Sequence, residues 1–204
     1  MPVEAGRRAA ARRRAGVLAA ALWGSALAGW AQAADAPSAA RLAACAACHG
    51  ASGNSPSPAV PSIAGQPSLF IENQLVVMRE GLREVPVMKA VLDGISDAEI
   101  VALARHYAAL PSLPAPALLQ PDKLRAGAVL SKQALCGTCH LPDYRGQNQV
   151  PRLAGQHEAY LLLSMKQFRD HPGPGRDTLM AATLRGFSDD DLGRLAHYLS
   201  HARP

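Results

Sequence analysis

Aromatic side chains make up only 4% of this 204-residue chain, so a core built from it lacks its bulkiest filler. Strand signals are nearly absent as well, which argues against sheet-based folds. Past the first thirty or so residues, no apolar stretch approaches the about 20 residues that a membrane-spanning helix needs. No nucleophile–base constellation and no phosphate-binding loop is evident, so the usual sites of hydrolases and nucleotide enzymes are missing. Excess charge is missing too once the start of the chain is set aside. Without Arg7, Arg8, Arg12, Arg13, Arg14 and Glu4, the formal net charge falls from +5 to +1. The pI of about 9.3 therefore belongs mostly to that segment and is no footprint for nucleic acid.

The start reads as a signal peptide over 1–33. The five arginines form a basic segment, Ala15 to Trp30 a small-residue apolar one, and Ala31-Gln32-Ala33 an A-x-A site, with cleavage expected after Ala33. An uncleaved anchor is the competing reading, for which the run is short and weakly apolar.

Cysteine is also rare, and its placement is specific. All four cysteines lie in Cys45-Ala46-Ala47-Cys48-His49 and Cys136-Gly137-Thr138-Cys139-His140, 91 residues apart. Two thiols on one helical turn can each add across a vinyl group of the same porphyrin, and the next residue then sits under the iron. This is the attachment signature of c-type haem. An exported chain would ordinarily use cysteines for disulfides. Here the pattern points instead to two covalently bound haem c groups, held by Cys45 and Cys48 and by Cys136 and Cys139. A zinc ribbon wants Cys pairs roughly 15–20 residues apart, whereas 87 residues separate Cys48 from Cys136. A thioredoxin-like pair wants a strand-then-helix context that this sequence does not offer.

The remainder is a repeat. Pro61-Ser62-Ile63-Ala64-Gly65-Gln66 matches Pro151-Arg152-Leu153-Ala154-Gly155-Gln156, and Gly94-Ile95-Ser96-Asp97 matches Gly186-Phe187-Ser188-Asp189. A period this long means two copies of one domain, since solenoid repeats run about 20–50 residues. The Pro-rich stretch 111–121 reads as a semi-rigid connector between domains at 36–110 and 122–204. Each is small for a self-sufficient core, and a covalently held haem supplies apolar interior.

Both halves read as helical. Apolar residues over Ser68–Gly81 and Ala159–Asp170 recur at helical spacing. Ala36–Cys48 and Lys123–Cys139 are Ala/Leu-rich segments leading into the Cys motifs. Ser96 and Ser188 start the last helices, with a capping box at Ser96-Asp97-Ala98-Glu99.

His49 and His140 are the proximal ligand candidates, and each iron then takes a second partner or keeps an open position. Superposing the halves selects the partner. Met78 pairs with Phe168 and Leu75 with Met165, positions where any apolar residue serves, so Met78 and Met165 read as helix core. Met88 and Met180 are the one register in which both copies keep a thioether, and they are the axial candidates, expected on irregular loops facing the haem. His106, His157, His171, His197 and His201 read as surface or packing residues. Pro61 and Pro151 are expected to pack on the proximal histidines and leave each free ring nitrogen facing a backbone carbonyl. Gly53-Asn54-Ser55 and Gly146-Gln147-Asn148 are expected to be haem-edge loops.

Two Cys-x-x-Cys-His…Met units, each with a Pro-x-[Ile/Leu]-Ala-Gly-Gln segment, resemble the dihaem cytochrome c4 family over essentially the whole chain after the signal. The resemblance implies an all-α protein of two tandem class I cytochrome c domains. It implies that Cys45, Cys48, His49 and Met88 serve one haem iron and Cys136, Cys139, His140 and Met180 the other. It further implies a monomeric periplasmic electron carrier, loosely associated with the inner membrane in many members. Its partners would be the cytochrome bc1 complex as donor and a terminal oxidase as acceptor. The alternative is a cytochrome subunit of a periplasmic dehydrogenase or oxidase complex. An enzyme with one replaceable axial ligand is the remaining rival; with His and Met on both sides of each iron, no catalytic residue is expected. Two features depart from the family pattern: Leu141 stands where Gly commonly follows the second motif, and Arg105-His106-Tyr107 shifts an aromatic by one position.

Overall fold

The computed structural model describes residues 36–203, so the expected signal segment and its cleavage site lie outside the described residues. Within that span the chain is helical, with one isolated β-bridge between Gln147 and Val150.

Helix α1 (Ala39–His49) is capped by the Ser38 side chain and ends at Gly50, where φ is +79°. Helix α2 (Ser68–Arg79) follows a proline-defined turn, and α3 (Pro86–Val91) opens with proline at its first position. Helix α4 (Asp97–Ala109) begins with the expected capping box, Ser96 accepting from Glu99 N at 3.2 Å while Glu99 accepts from Ser96 N at 3.1 Å. The second half repeats this order with α5 (Pro121–Gln133), α6 (Cys136–His140), α7 (Glu158–Asp170), α8 (Thr178–Leu184) and α9 (Asp189–His201). At α9 the box is closed by Asp191, an acid one methylene shorter than Glu99.

Two expectations need correction. The segment Lys123–Cys139 is not continuous: it breaks at Ala134–Leu135, where Leu135 takes a left-handed φ of +54°, and the Cys motif forms its own short helix. Met88 and Met180 lie on short helices and not on irregular loops. Pro86 is pre-set for a first helical turn, and Asp177 caps α8 by accepting from Met180 N at 2.7 Å.

The core divides into two clusters. Ile71, Met78, Leu92, Ile100, Leu103 and Tyr107 form one; Leu161, Met165, Leu184, Leu192, Leu195 and Leu199 anchor the other. Met78 and Met165 are thus core residues, as their register implied. In the second half α5 crosses α9 at Gly127, where a Cβ would stand 2.2 Å from the Arg194 carbonyl oxygen and 2.6 Å from Tyr198 Cβ.

A buried polar seam joins the halves. Gln66 donates to Arg152 O and accepts from Arg152 N, both at 2.9 Å. Gln156 does the same to Ser62, donating to its carbonyl at 2.8 Å and accepting from its N–H at 2.9 Å. Each glutamine of the repeated segment therefore docks on the second residue of the opposite copy. His157 adds a bond to Ser55 O at 2.9 Å, and Arg152 reaches Ala64 O at 3.1 Å. Burial depresses the Arg152 guanidinium to about 10. These side chains are almost completely buried, so their bonds form in a low-dielectric setting where a lost partner is costly.

The connector is extended and pinned. Asn54 accepts from Leu113 N at 2.7 Å and donates to Pro111 O at 3.0 Å, while Ala115 N donates to Gly155 O at 2.8 Å. At its end, Gln120 N donates to His197 Nε2 at 3.1 Å, and His197 Nδ1 donates to Glu158 at 2.9 Å. Proline 121 already belongs to α5, one residue earlier than the expected boundary.

Candidate functional site

Each Cys-x-x-Cys-His motif sits on a helix that ends at its histidine. In α1 the motif forms the last turn, and in α6 it is the whole helix, so both thiols and the ring leave one face. None of the four thiols is in a disulfide. Cys45 and Cys136 are partly buried, and burial raises both thiol pKa values, with Tyr107 and Ser131 as their hydrogen-bonding neighbours. Cys48 and Cys139 are exposed.

The histidines are set alike. His49 Nδ1 lies 2.8 Å from Pro61 O, and His140 Nδ1 lies 2.9 Å from Pro151 O. A carbonyl only accepts, so Nδ1 carries the proton and the Nε2 lone pair is free. Burial lowers the pKa of both rings, opposed in part by the proline carbonyl, and so favours the neutral form that binds metal. Neither Nε2 has a protein partner, and neither is sealed off as a buried orphan. The proline expectation is met in both halves, and the carbonyl is each proline's own.

Met88 packs against the first core and Met180 against the second, both partly buried. In each half the structure supplies two thiols, one oriented neutral imidazole and one thioether at the edge of an apolar cluster. That donor set fits a thioether-anchored porphyrin iron. Among the described residues, no three or more His, Cys, Asp or Glu side chains come together in a group that could hold a metal ion.

The loops after the motifs are held by hydrogen bonds. Asn54 secures the connector, and Ser55 accepts from His157 and donates to Cys48 O at 3.2 Å, so this loop supports the seam. Gly146 N donates to His140 O at 3.0 Å, which ties the second loop to its motif. Sequence reasoning also passed over His157 and His197 as packing residues. They are nearly or fully buried and hydrogen-bonded; His157 reaches the first motif only indirectly, through Ser55, which bonds to Cys48 O.

Leu141 adopts φ +70° and ψ 157°, close to the +79° and 151° of Gly50 at the equivalent position. This region is essentially reserved for glycine and costs about 1–3 kcal/mol for other residues. Replacing Leu141 with Gly relieves that strain against about 0.5–1 kcal/mol of added chain entropy. A net gain of about 1 kcal/mol is expected, read as a rise in the thermal midpoint of the holoprotein.

The family description Cytochrome c matches residues 124–203. A cytochrome c4 of Pseudomonas aeruginosa is 30% identical, with 78% of this chain and 84% of that protein covered. A thiosulfate dehydrogenase electron acceptor of Thiomonas intermedia is 35% identical, with coverage of 88% and 86%. Among solved structures, reduced recombinant cytochrome c4 from Pseudomonas stutzeri superposes with a TM-score of 0.74 at 28% identity, covering 80% of this chain and 96% of that one.

Proposed function

The chain belongs to the cytochrome c4 family, and we propose that it is an exported two-centre electron carrier in which Cys45, Cys48, His49 and Met88 hold one haem and Cys136, Cys139, His140 and Met180 the other. Covalently bound haem c and electron transfer come with the family. When bound, each haem supplies a one-electron ferric/ferrous couple whose potential a thioether ligand raises. The protein's part is to position and to exclude. The cysteines would fix the ring, Pro61 O and Pro151 O hold the imidazoles in one tautomer, and Met88 and Met180 would supply the second donor to each iron. The apolar clusters around α2–α4 and α7–α9, against which Met88 and Met180 pack, would limit water at a haem held there.

The observation that carries this reading is the duplicated bond from His Nδ1 to the proline carbonyl, at 2.8 and 2.9 Å, with Nε2 left free in both halves. With a histidine and a methionine as donors to each iron, a haem held here would be suited to electron transfer. The basic leader and Ala31-Gln32-Ala33 support a periplasmic location after cleavage at Ala33. Domains at 36–110 and 122–204 joined through 111–121 fit the two separate cores.

A respiratory donor such as the bc1 complex and a terminal oxidase acceptor suit such a carrier. A second reading takes a thiosulfate dehydrogenase as the donor, supported by the relative that bears the name of its electron acceptor. Redox titration of the purified holoprotein is expected to show two one-electron waves and two thioether-ligated irons by ferric-state absorption. Stopped-flow reduction by a bc1 complex and by a thiosulfate dehydrogenase separates the readings, the physiological donor being the faster. A single wave, or fewer than two thioether-ligated irons, would overturn the two-centre assignment.

A further inference from the structure

We propose that Arg83 and Arg176 form one anion-binding site shared by the two halves, which takes the paired oxygens of a carboxylate or oxyanion and couples the two redox centres. The inference rests on the two-haem reading above. Both arginines line one half-open cleft of about 390 Å³ between the loop before α3 and the loop before α8. The loops meet backbone to backbone: Gly175 has φ +74°, and a Cβ there would lie 2.6 Å from Leu82 C.

The two guanidinium groups are held in the same way. Arg83 donates to the Gln74 side chain, and Arg176 donates to Gln167 at 3.1 Å; in both pairs the glutamine lies nine residues before its arginine, on the helix that precedes the loop. Arg83 also crosses to Tyr160 OH of α7 at 3.5 Å, and Arg176 stacks 5.6 Å from the Phe168 ring centroid. All of these partners are neutral. Neither arginine makes an ion pair among the described residues. Each keeps a buried N–H without an acceptor, Arg83 at Nε and Arg176 at Nη1. Glu84 and His171 also line the cleft, and Glu84 bonds to neither guanidinium. Two cations that face each other, held by amides and short of acceptors, are built to receive an anion.

Position favours the carboxylates a haem carries. Arg83 lies five residues before Met88, and Arg176 four before Met180, each on the loop leading to the methionine helix. A free oxyanion offers the same chemistry from solution. Because Arg83 reaches into the second half and the two charges repel, loss of either guanidinium is felt by both centres.

The test uses holoprotein of Arg83→Gln, Arg176→Gln and the double variant, with Arg125→Gln, an exposed helix residue, as a control for charge loss. Haem content and the ferric thioether absorption are checked first. If both haems are loaded and thioether-ligated, the carrier reading stands whatever follows. In buffer free of multivalent anions, each single variant is expected to lower both potentials, with non-additive shifts in the double variant and none in Arg125→Gln. The resonance Raman band of the haem propionates should shift in parallel. Potentials that respond only to added inorganic phosphate, and lose that response in the variants, support the same site filled from solution. Unchanged potentials with and without phosphate in correctly loaded variants overturn the site. Shifts confined to one haem per variant overturn the coupling.

Discussion

Met180→Ala in the holoprotein is expected to remove one of two ferric thioether absorption signals, lower one potential and admit added imidazole to that centre. Met88→Ala is expected to do the same in the first half. The drop should be on the order of 0.1 V, within the roughly 0.8 V that axial ligation spans. The assignment depends on register and not on exposure, because all four methionines within the described residues border a core cluster. Met78 and Met165 are more deeply buried than Met88 and Met180. Their helical partners in the other half are Phe168 and Leu75, however, so sulfur is dispensable there. Met165→Leu is the matching control: near-equal volume should hold its cost below about 1.5 kcal/mol and leave both absorption signals intact. If Met180→Ala kept both signals while Met165→Leu lost one, the axial assignment would be reversed.

Gly127→Ala is expected to destabilise the second half by about 1–2 kcal/mol net, although it gains up to about 1 kcal/mol of helix propensity. The added methyl group would sit 2.2 Å from a backbone carbonyl oxygen on α9 and 2.6 Å from Tyr198 Cβ. A side-chain tip could turn aside; a carbonyl inside a helix cannot move without the helix. Relief therefore comes by parting α5 from α9, and overpacking of this kind costs roughly 1–3 kcal/mol. Separation would also loosen Tyr198, which lies 3.4 Å from Tyr144 OH, and the Ser131–Tyr144 bond at 2.9 Å beside Cys136. Chemical denaturation followed by helicity checks the magnitude, and a bulkier Gly127→Val should lower the yield of holoprotein further. A neutral or stabilising Gly127→Ala would mean that the crossing is not close-packed.

The parts legible in the sequence were those whose cause is local or repeated. Ser96 and Ser188 announced their helices because a capping residue acts within three positions. A backbone carbonyl facing each histidine ring could be foreseen because proline fixes the turn and the motif occurs twice; that it is the proline's own carbonyl could not. The break at Leu135 was hidden, since a leucine at positive φ has no local signature. The methionine segments looked irregular because prolines precede them, yet proline at a first helical position begins a turn as readily as it ends one. His157 and His197 were read as filler because their partners, Ser55 and Gln120, are 102 and 77 residues away. The repeat marked Gln66 and Gln156 as equivalent but could not say that each reaches across to the other copy.

That crossing makes the seam isologous: residue i meets residue j, and the counterpart of j meets the counterpart of i, as in a twofold dimer. Each half thus carries both sides of its own contact, and the covalent connection is not what keeps the two together. A protease cut in the extended stretch 111–120 is expected to leave fragments that travel as one species in native electrophoresis and part only under denaturing conditions. The connector then sets stoichiometry and the local concentration of two partners whose surfaces already match, while four glutamine hydrogen bonds set the register of one half against the other.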